Sequence, residues 1–337
     1  PDLRDDAREV LGQTELRVPA GRSVWLGVGR HLHRGRRRIH RELHGRVVLV
    51  PARLRPGDLV AIVAPSSPFD DEKYRRGAAW LAERYRLRVR DDLFARQGYL
   101  AGDDRRRHDE LASALADPEV RAIVAARGGY GATRFVHELD WSLLVQAPKW
   151  LVGFSDVTAL HVEAARVGVA SMHAPMVAAL GGSPAIRSSW LAALERGAQE
   201  PWDVATIVPG DAEGYSAGGN LALLEATAAT GRLALPENTI LFVEDCTERP
   251  YRLDRMLTSL LVGGHLARVC GVVLGEFTDC NPGPDGVTAD EVLRERFSRL
   301  GVPMVARAPF GHGETNRPFE LGVRVRVSAG EVVWRGL

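Results

Sequence analysis

Three residues far apart in the chain have the types that acyl-transfer chemistry needs: a hydroxyl, an imidazole and a carboxylate. Ser155 stands in "KWLVGFSDVTALH" (149–161), Glu244 near the end of "TILFVED" (239–245) and His312 in "PFGHGET" (309–315). A serine hydroxyl is protonated at neutral pH, so it becomes a nucleophile only beside a base, and the base needs an orienting acceptor. Ser155 follows an apolar run and precedes a helical pattern. A tight turn there would present its hydroxyl at a helix N-terminus, where N–H dipoles favour developing negative charge. The elbow pattern G-x-S-x-G is half met, because Gly153 fits and Val157 replaces the second glycine. Capping is the ordinary role of a serine at such a junction, so Ser155 read alone is a helix cap before it is a nucleophile.

The other two candidates are chosen by position. Of ten histidines, four precede residue 46, while His108, His137 and His161 fall in helical patterns and His265 follows a helix end. His312 lies between two glycines in a loop after a strand, where an imidazole can be exposed yet fixed. Glu244 ends a buried apolar run, and a carboxylate there is rare unless paired. Its structural alternative is an ion pair with Arg249, Arg252 or Arg255, and Asp245 is the alternative acid. "ARGGYGA" (126–132) fits neither G-x-G-x-x-G nor a P-loop. Its glycines free backbone donors, so the N–H groups of Gly129 and Asp156 would form a two-donor oxyanion hole, with Gly128 as the alternative donor.

These residues need elements to hold them. "DLVAIVAPSSP" (58–68) followed by "DDEKYRRGAAWLAERY" (70–85) reads as a βα unit, and strand–helix alternation continues through "LRVRDD", "VRAIVAARGGYGATRFVHEL" and "KWLVGFSDVTALH". Strands alternating with helices of this length predict a parallel sheet with right-handed crossovers, whose strand-end loops "APSSP", "ARGGYGA" and "GFSDV" form a candidate site. The rhythm lapses over 181–208, read as a linker around "SSWLAALERG". A second α/β unit follows, with strands "NTILFVED" and "CGVVLGEF" and an alternating tail, "VRVRVS", paired with "EVVW". The expected fold is therefore α/β: a parallel-sheet, flavodoxin-like N-terminal domain over 47–180 bearing the nucleophile elbow, then a smaller mixed α/β domain over 209–337 carrying Glu and His.

Bulk properties limit the rest. The 337 residues are 45% hydrophobic, enough for one large or two ordinary domains with a real core. Three cysteines without a CxxC pair argue against a disulfide framework and a structural zinc site. No apolar run is long enough to cross a bilayer and no secretory pattern opens the chain, so a cytoplasmic protein with no membrane partner is expected. Net charge is +1, but residues 1–46 hold 11 Arg against 6 carboxylates, leaving a net of −4 on the remainder. This basic extension is read as a poorly ordered or non-native tail rather than a nucleic-acid patch. Its "HRELH" (40–44) has Glu42 one place late for a metalloprotease helix.

"RGGYGATR", "GFSDVTAL", "GGNLALL", "FVEDCTERPYRLDRML" and "FGHGETNRPFELG", in this order and spacing, resemble the LD-carboxypeptidase family of serine peptidases, which includes muramoyltetrapeptide carboxypeptidases and microcin C self-immunity proteins. The likeness spans 54–334 and has one departure, "HAPM" (173–176) in place of H-G-P-M. It implies a Ser155, Glu244, His312 triad and no metal or other cofactor. The substrate it implies is a cytoplasmic murein tetrapeptide cleaved before its terminal D-Ala, and the partner it implies is a second copy in a homodimer. Arg127, Asn220, Arg252 and Arg255 are candidates for binding the substrate, the arginines for its terminal carboxylate. One rival reading is an immunity-type hydrolase of aminoacyl adenylates, which would want an aromatic to stack on the base; after "HAPM" only Trp190 presents itself. The other is a non-catalytic peptidoglycan-fragment or nucleic-acid binder.

Overall fold

The structure is a computed structural model that describes residues 39–43, 46–197 and 199–334. The extension over 1–46 read as a tail lies mostly outside the described residues; of it, 39–43 and Arg46 are described, in strands. The described chain starts with a hairpin of β1 (Ile39–Leu43) and β2 (Arg46–Val50). The first half continues with β3 (Leu59–Val63), α1 (Asp71–Ala82), β4 (Arg86–Arg88), α2 (Asp104–Ala116), β5 (Val120–Ala125), α3 (Ser142–Gln146), β6 (Trp150–Gly153), α4 (Thr158–Arg166) and β7 (Ser171–His173). Then come α5 (Val177–Leu180), α6 (Pro184–Leu191), β8 (Trp202–Asp203), β9 (Ala205–Val208), β10 (Ala212–Asn220), α7 (Leu221–Ala229), β11 (Thr239–Cys246), α8 (Pro250–Val262) and β12 (Val269–Thr278). The chain closes with α9 (Ala289–Ser298), β13 (Met304–Ala306), β14 (Phe319–Leu321), β15 (Arg324–Ser328) and β16 (Glu331–Trp334).

Two sheets result. The first has the order β14-β7-β6-β5-β3-β4, with β3 to β7 parallel, as the strand–helix alternation requires. Both faces of its central strands are buried. In β3, Val60 and Ile62 enter one core while Ala61 and Val63 enter another, which is why the run is apolar throughout and not alternating. The second sheet has the order β8-β16-β15-β10-β11-β12-β13-β9, parallel from β10 to β13 and antiparallel at its margins. The tail pairs as its alternation predicted, with Ser328 opposite Glu331. Residues 181–208 contain α6 and two short strands, and both strands join the second sheet.

One of the connections between the sheets carries His312. After β13 in the second sheet, residues 307–318 run to β14, which pairs antiparallel with β7 at the edge of the first, Phe319 opposite His173. Phe319 is fully buried and stacks on Phe242 of β11 and on His173 of β7, each at 4.7 Å between ring centroids. Truncating a buried aromatic of this kind costs about 3–5 kcal/mol. Phe319→Ala is therefore expected to lower the unfolding free energy measured by urea denaturation by an amount in that range, and to destabilise the two sheets together because the ring packs on both.

Candidate functional site

Ser155 sits where β6 stops. Its φ is +62°, a left-handed conformation that costs a non-glycine residue on the order of 1–3 kcal/mol and persists only where surroundings enforce it. They do so from three sides. His161 Nε2–H, one helical turn into α4, donates to the Gly153 carbonyl at 2.9 Å. Val157 N–H donates to Phe154 O at 3.2 Å. The Asp156 carboxylate accepts the Ala132 N–H at 2.8 Å. The turn Ser155–Val157 leads into α4, and its cap position is held by Phe154 with no side-chain bond. The reading of Ser155 as a helix cap is thus corrected: the left-handed turn places the residue inside the first turn, and its hydroxyl has no hydrogen-bond partner among the described residues.

The glycine loop lies directly over this hydroxyl. A Cβ on Gly128 would stand 3.0 Å from Ser155 Cβ and 3.2 Å from its Oγ, so any side chain there would press on the nucleophile. Gly129 has φ +107°, and a Cβ on it would meet the Ser67 side chain at 2.5–2.6 Å. Ser67 fixes the loop by accepting the Tyr130 N–H at 3.1 Å, while its own N–H donates to Gly128 O at 3.2 Å. Below, the buried Arg107 donates to Pro65 O at 2.9 Å and Gly131 O at 2.7 Å, holding the "APSSP" and "ARGGYGA" loops at one spacing. The Asp156 N–H, directly after Ser155, belongs to the first turn of a helix and is therefore left without an intrahelical acceptor.

Glu244 reaches the site from the second sheet. The pairing of β11 with β12 shifts register between Val243 and Asp245, a bulge that re-aims the intervening side chain. Glu244 is fully buried, and its Oε2 accepts from His312 Nδ1 at 2.7 Å. The arginine ion pairs offered as its alternative do not form. Asp245 turns elsewhere: its carboxylate accepts from Asn220 Nδ2 at 3.0 Å, Ala222 N–H at 3.0 Å and Cys246 N–H at 2.8 Å. Burial pushes Asp245 up to about 6. The His312 ring packs on Phe154, centroids 4.9 Å apart, which sets it beside the neighbouring serine. Burial pulls the His312 imidazolium down, but the Cys246 thiol and the Glu244 carboxylate outweigh it and push His312 up to about 10.

Other candidates are placed differently. Asn220 is buried, caps α7 through Leu223 N–H and donates to Asp245, so its polar atoms serve the frame behind Glu244. Arg252 is exposed on α8 and pairs with Glu248 at 3.5 Å; Arg255 is exposed on the same helix. Arg127 projects beside the glycine loop, with Nη1 3.4 Å from Pro68 O. Trp190 is fully buried against Trp80 and Tyr85 and cannot stack on a ligand. Sequence reasoning passed over Glu276, whose burial and proximity to Glu314 and Glu244 raise its pKa and whose carboxylate abuts Gly313, next to His312. Its signal was an acid ending the apolar run "CGVVLGEF", the same signal that marked Glu244.

Residues 60–174 match the N-terminal domain of LD-carboxypeptidases, and residues 213–327 match the C-terminal domain. The chain belongs to the LD-carboxypeptidase family. It is 33% identical to the murein tetrapeptide carboxypeptidase of Pseudomonas aeruginosa over 254 residues, 71% of this chain and 83% of that one. The crystal structure of a muramoyltetrapeptide carboxypeptidase from Oxalobacter formigenes superposes with a TM-score of 0.73 at 29% identity, covering 81% of this chain and 97% of that one. The microcin C7 self-immunity protein superposes at 0.77 with 19% identity, over 85% and 98% of the two chains, a likeness of fold. Among the described residues of this LD-carboxypeptidase, no helix is long and apolar enough to cross a membrane.

The raised His312 pKa fixes the sign of a linkage. An ordinary histidine titrates near 6.5, so the Glu244–His312 pair contributes stability fully present below that pH and lost as pH rises through about 10. NMR titration of the His312 ring is expected to give a midpoint well above the ordinary value, and Glu244→Gln to bring it down toward that value. An unchanged midpoint in Glu244→Gln would contradict the pairing.

Proposed function

We propose that this LD-carboxypeptidase is a serine peptidase that cleaves the L,D bond before the terminal D-Ala of cytoplasmic murein tetrapeptides. The observation that carries the reading is the buried Glu244 bound to His312, whose ring packs on Phe154 next to the strained Ser155. In this mechanism Nδ1–H of His312 is committed to Glu244, which leaves Nε2 to take the Ser155 proton. The alkoxide attacks the carbonyl of the L-configured residue, and the oxyanion is received by the N–H groups of Gly129 and Asp156. His312 passes its proton to the departing amine, D-Ala leaves, and water attacks the ester by the same route in reverse. No Ser155–His312 hydrogen bond occurs among the described residues; catalytic contacts of this kind tighten when substrate binds. The murein reading is supported by the identity to the Pseudomonas enzyme. The adenylate reading has lost its stacking candidate, since Trp190 is buried.

The test is D-Ala release from a murein tetrapeptide, run beside an aminoacyl adenylate. Ser155→Ala is expected to lower kcat on the tetrapeptide by about four orders of magnitude or more. Because a charged imidazole is no base, kcat/KM should climb with pH through an alkaline limb above the ordinary histidine range. Faster turnover of the adenylate than of the tetrapeptide would overturn the reading.

A further inference from the structure

Beside the glycine loop lies an open recess of about 680 Å³ whose lining includes Pro68, Phe69, Asp70, Lys73, Arg96 and Arg127. Its charges are unevenly matched. Arg96 is offset by Asp71 at 3.5 Å. Asp70 spends Oδ1 on the backbone N–H of Lys73 at 2.8 Å, capping α1, and makes no ion pair with the Lys73 ammonium. Lys73 and Arg127 are both exposed and have no carboxylate partner among the described residues. The chain has one other lysine, Lys149, which is buried with Nζ committed to the carbonyls of Ala114, Leu115 and Asp117.

The recess and the nucleophile share a wall. Arg127 Nη1 comes within 2.7 Å of where a Cβ on Gly129 would stand, while a Cβ on Gly128 would lie 3.2 Å from Ser155 Oγ. A guanidinium and a nucleophilic hydroxyl therefore flank one pair of consecutive glycines. In a substrate that loses a single C-terminal residue, the terminal carboxylate lies one residue beyond the reacting carbonyl, about 3.5 Å along the chain. We infer that this recess is the subsite for the substrate's terminal carboxylate, with Arg127 and Lys73 as its cationic ligands. The inference rests on the proposed carboxypeptidase reading and separates Arg127 from Arg252, which is already paired with Glu248 and bonded to the Tyr251 hydroxyl on α8. A planar guanidinium suits a carboxylate through its paired donors, and Lys73, in the same lining, adds a point charge. The subsite makes the enzyme an exopeptidase: an internal peptide bond brings no charge to it.

The experiment compares one tetrapeptide as the free acid and as the C-terminal carboxamide, with the full chain and its Arg127→Met and Lys73→Met variants. Wild type is expected to prefer the acid, and each variant to reduce that acid-over-amide ratio about tenfold or more, mainly through KM, with Arg127→Lys retaining part of it. Equal use of acid and amide by wild type, or a ratio unchanged in both variants, overturns the subsite. If wild type releases neither D-Ala from the acid nor D-alaninamide from the amide, the proposed function fails. The subsite is then judged by calorimetric titration of Ser155→Ala with the same pair. Tighter binding of the acid that Arg127→Met abolishes upholds it, and equal binding overturns it. Should Arg127→Met not fold, Lys73→Met, a change at an exposed position of α1, decides the question by the same ratio.

Discussion

The site depends on one crossing of the chain. Ser155 belongs to the first sheet and Glu244 to the second, and His312 stands on the segment that leaves β13 and enters the first sheet as β14. That segment is fastened at intervals: Ala308 N–H to Leu274 O at 3.1 Å, Glu276 N–H to Phe310 O at 2.9 Å, and Arg317 N–H to Pro309 O at 2.8 Å. Phe310 and Phe319, on either side of His312, are both fully buried and pack on each other at 5.0 Å. An imidazole on a free surface loop would sample many positions; here the rings before and after it are locked, so the few residues between them have little freedom left. The same crossing joins Ser216 Oγ of β10 to Glu320 O of β14 at 2.7 Å, so the sheets are held in register beneath the histidine.

Strain at the elbow is the second constraint, and its supports are shared with the glycine loop. Asp156 is buried, and desolvation raises its pKa even though it accepts backbone N–H bonds. That cost is tolerated because its carboxylate meets Ala132 N–H at 2.8 Å and so fixes the glycine loop relative to the serine. Arg107, buried with its charge offset by Asp104, grips Gly131 O from below. A buried charge without partners would cost several kcal/mol. Here each charged group satisfies loop backbone that has no strand or helix to bond to, which is what lets an irregular loop sit close to the nucleophile.

How much of this was legible in the sequence varied with the range of the interaction. The βα units, the strand-end position of Ser155 and the buried Glu244 followed from local apolar runs and their punctuation. The sign of φ at Ser155 did not, because the second glycine of the elbow is Val157. The structure accounts for the substitution: Val157 packs over Gly153, where a Cβ would meet its side chain at 2.8–3.1 Å, so close approach is provided by the glycine before the serine. The three-residue β14 was invisible, since "FEL" carries no periodicity and its partner lies some 150 positions earlier. The stretch 181–208 reads as a linker because prolines break its rhythm, yet it holds strands two and four residues long whose bonds come from distant neighbours. Glu276 carries the same signal as Glu244, but its place beside Gly313 is set by the crossing, which no local pattern shows.

Three histidines near the site show what decides charge there. His161 is held down to about 4 by burial, and its one bond, to Gly153 O, engages a neutral N–H. His173 is fully buried among Phe154, Phe310 and Phe319 and is held well below the ordinary value, burial being the largest cause. His312 is also largely buried, yet it goes the other way, because it alone of the three meets the Cys246 sulfur and the Glu244 carboxylate. Burial by itself would have made His312 a third structural ring. The carboxylate turns it into a group whose protonated form is stabilised, which is what the proposed role requires once the serine proton has been transferred. His173, by contrast, must stay neutral where it is: a second cation behind Phe154 would repel the imidazolium that Glu244 is placed to support. The apolar cage around His173 and the carboxylate beside His312 are therefore two halves of one electrostatic arrangement, and both hang on the crossing segment that supplies Phe310, His312 and Phe319.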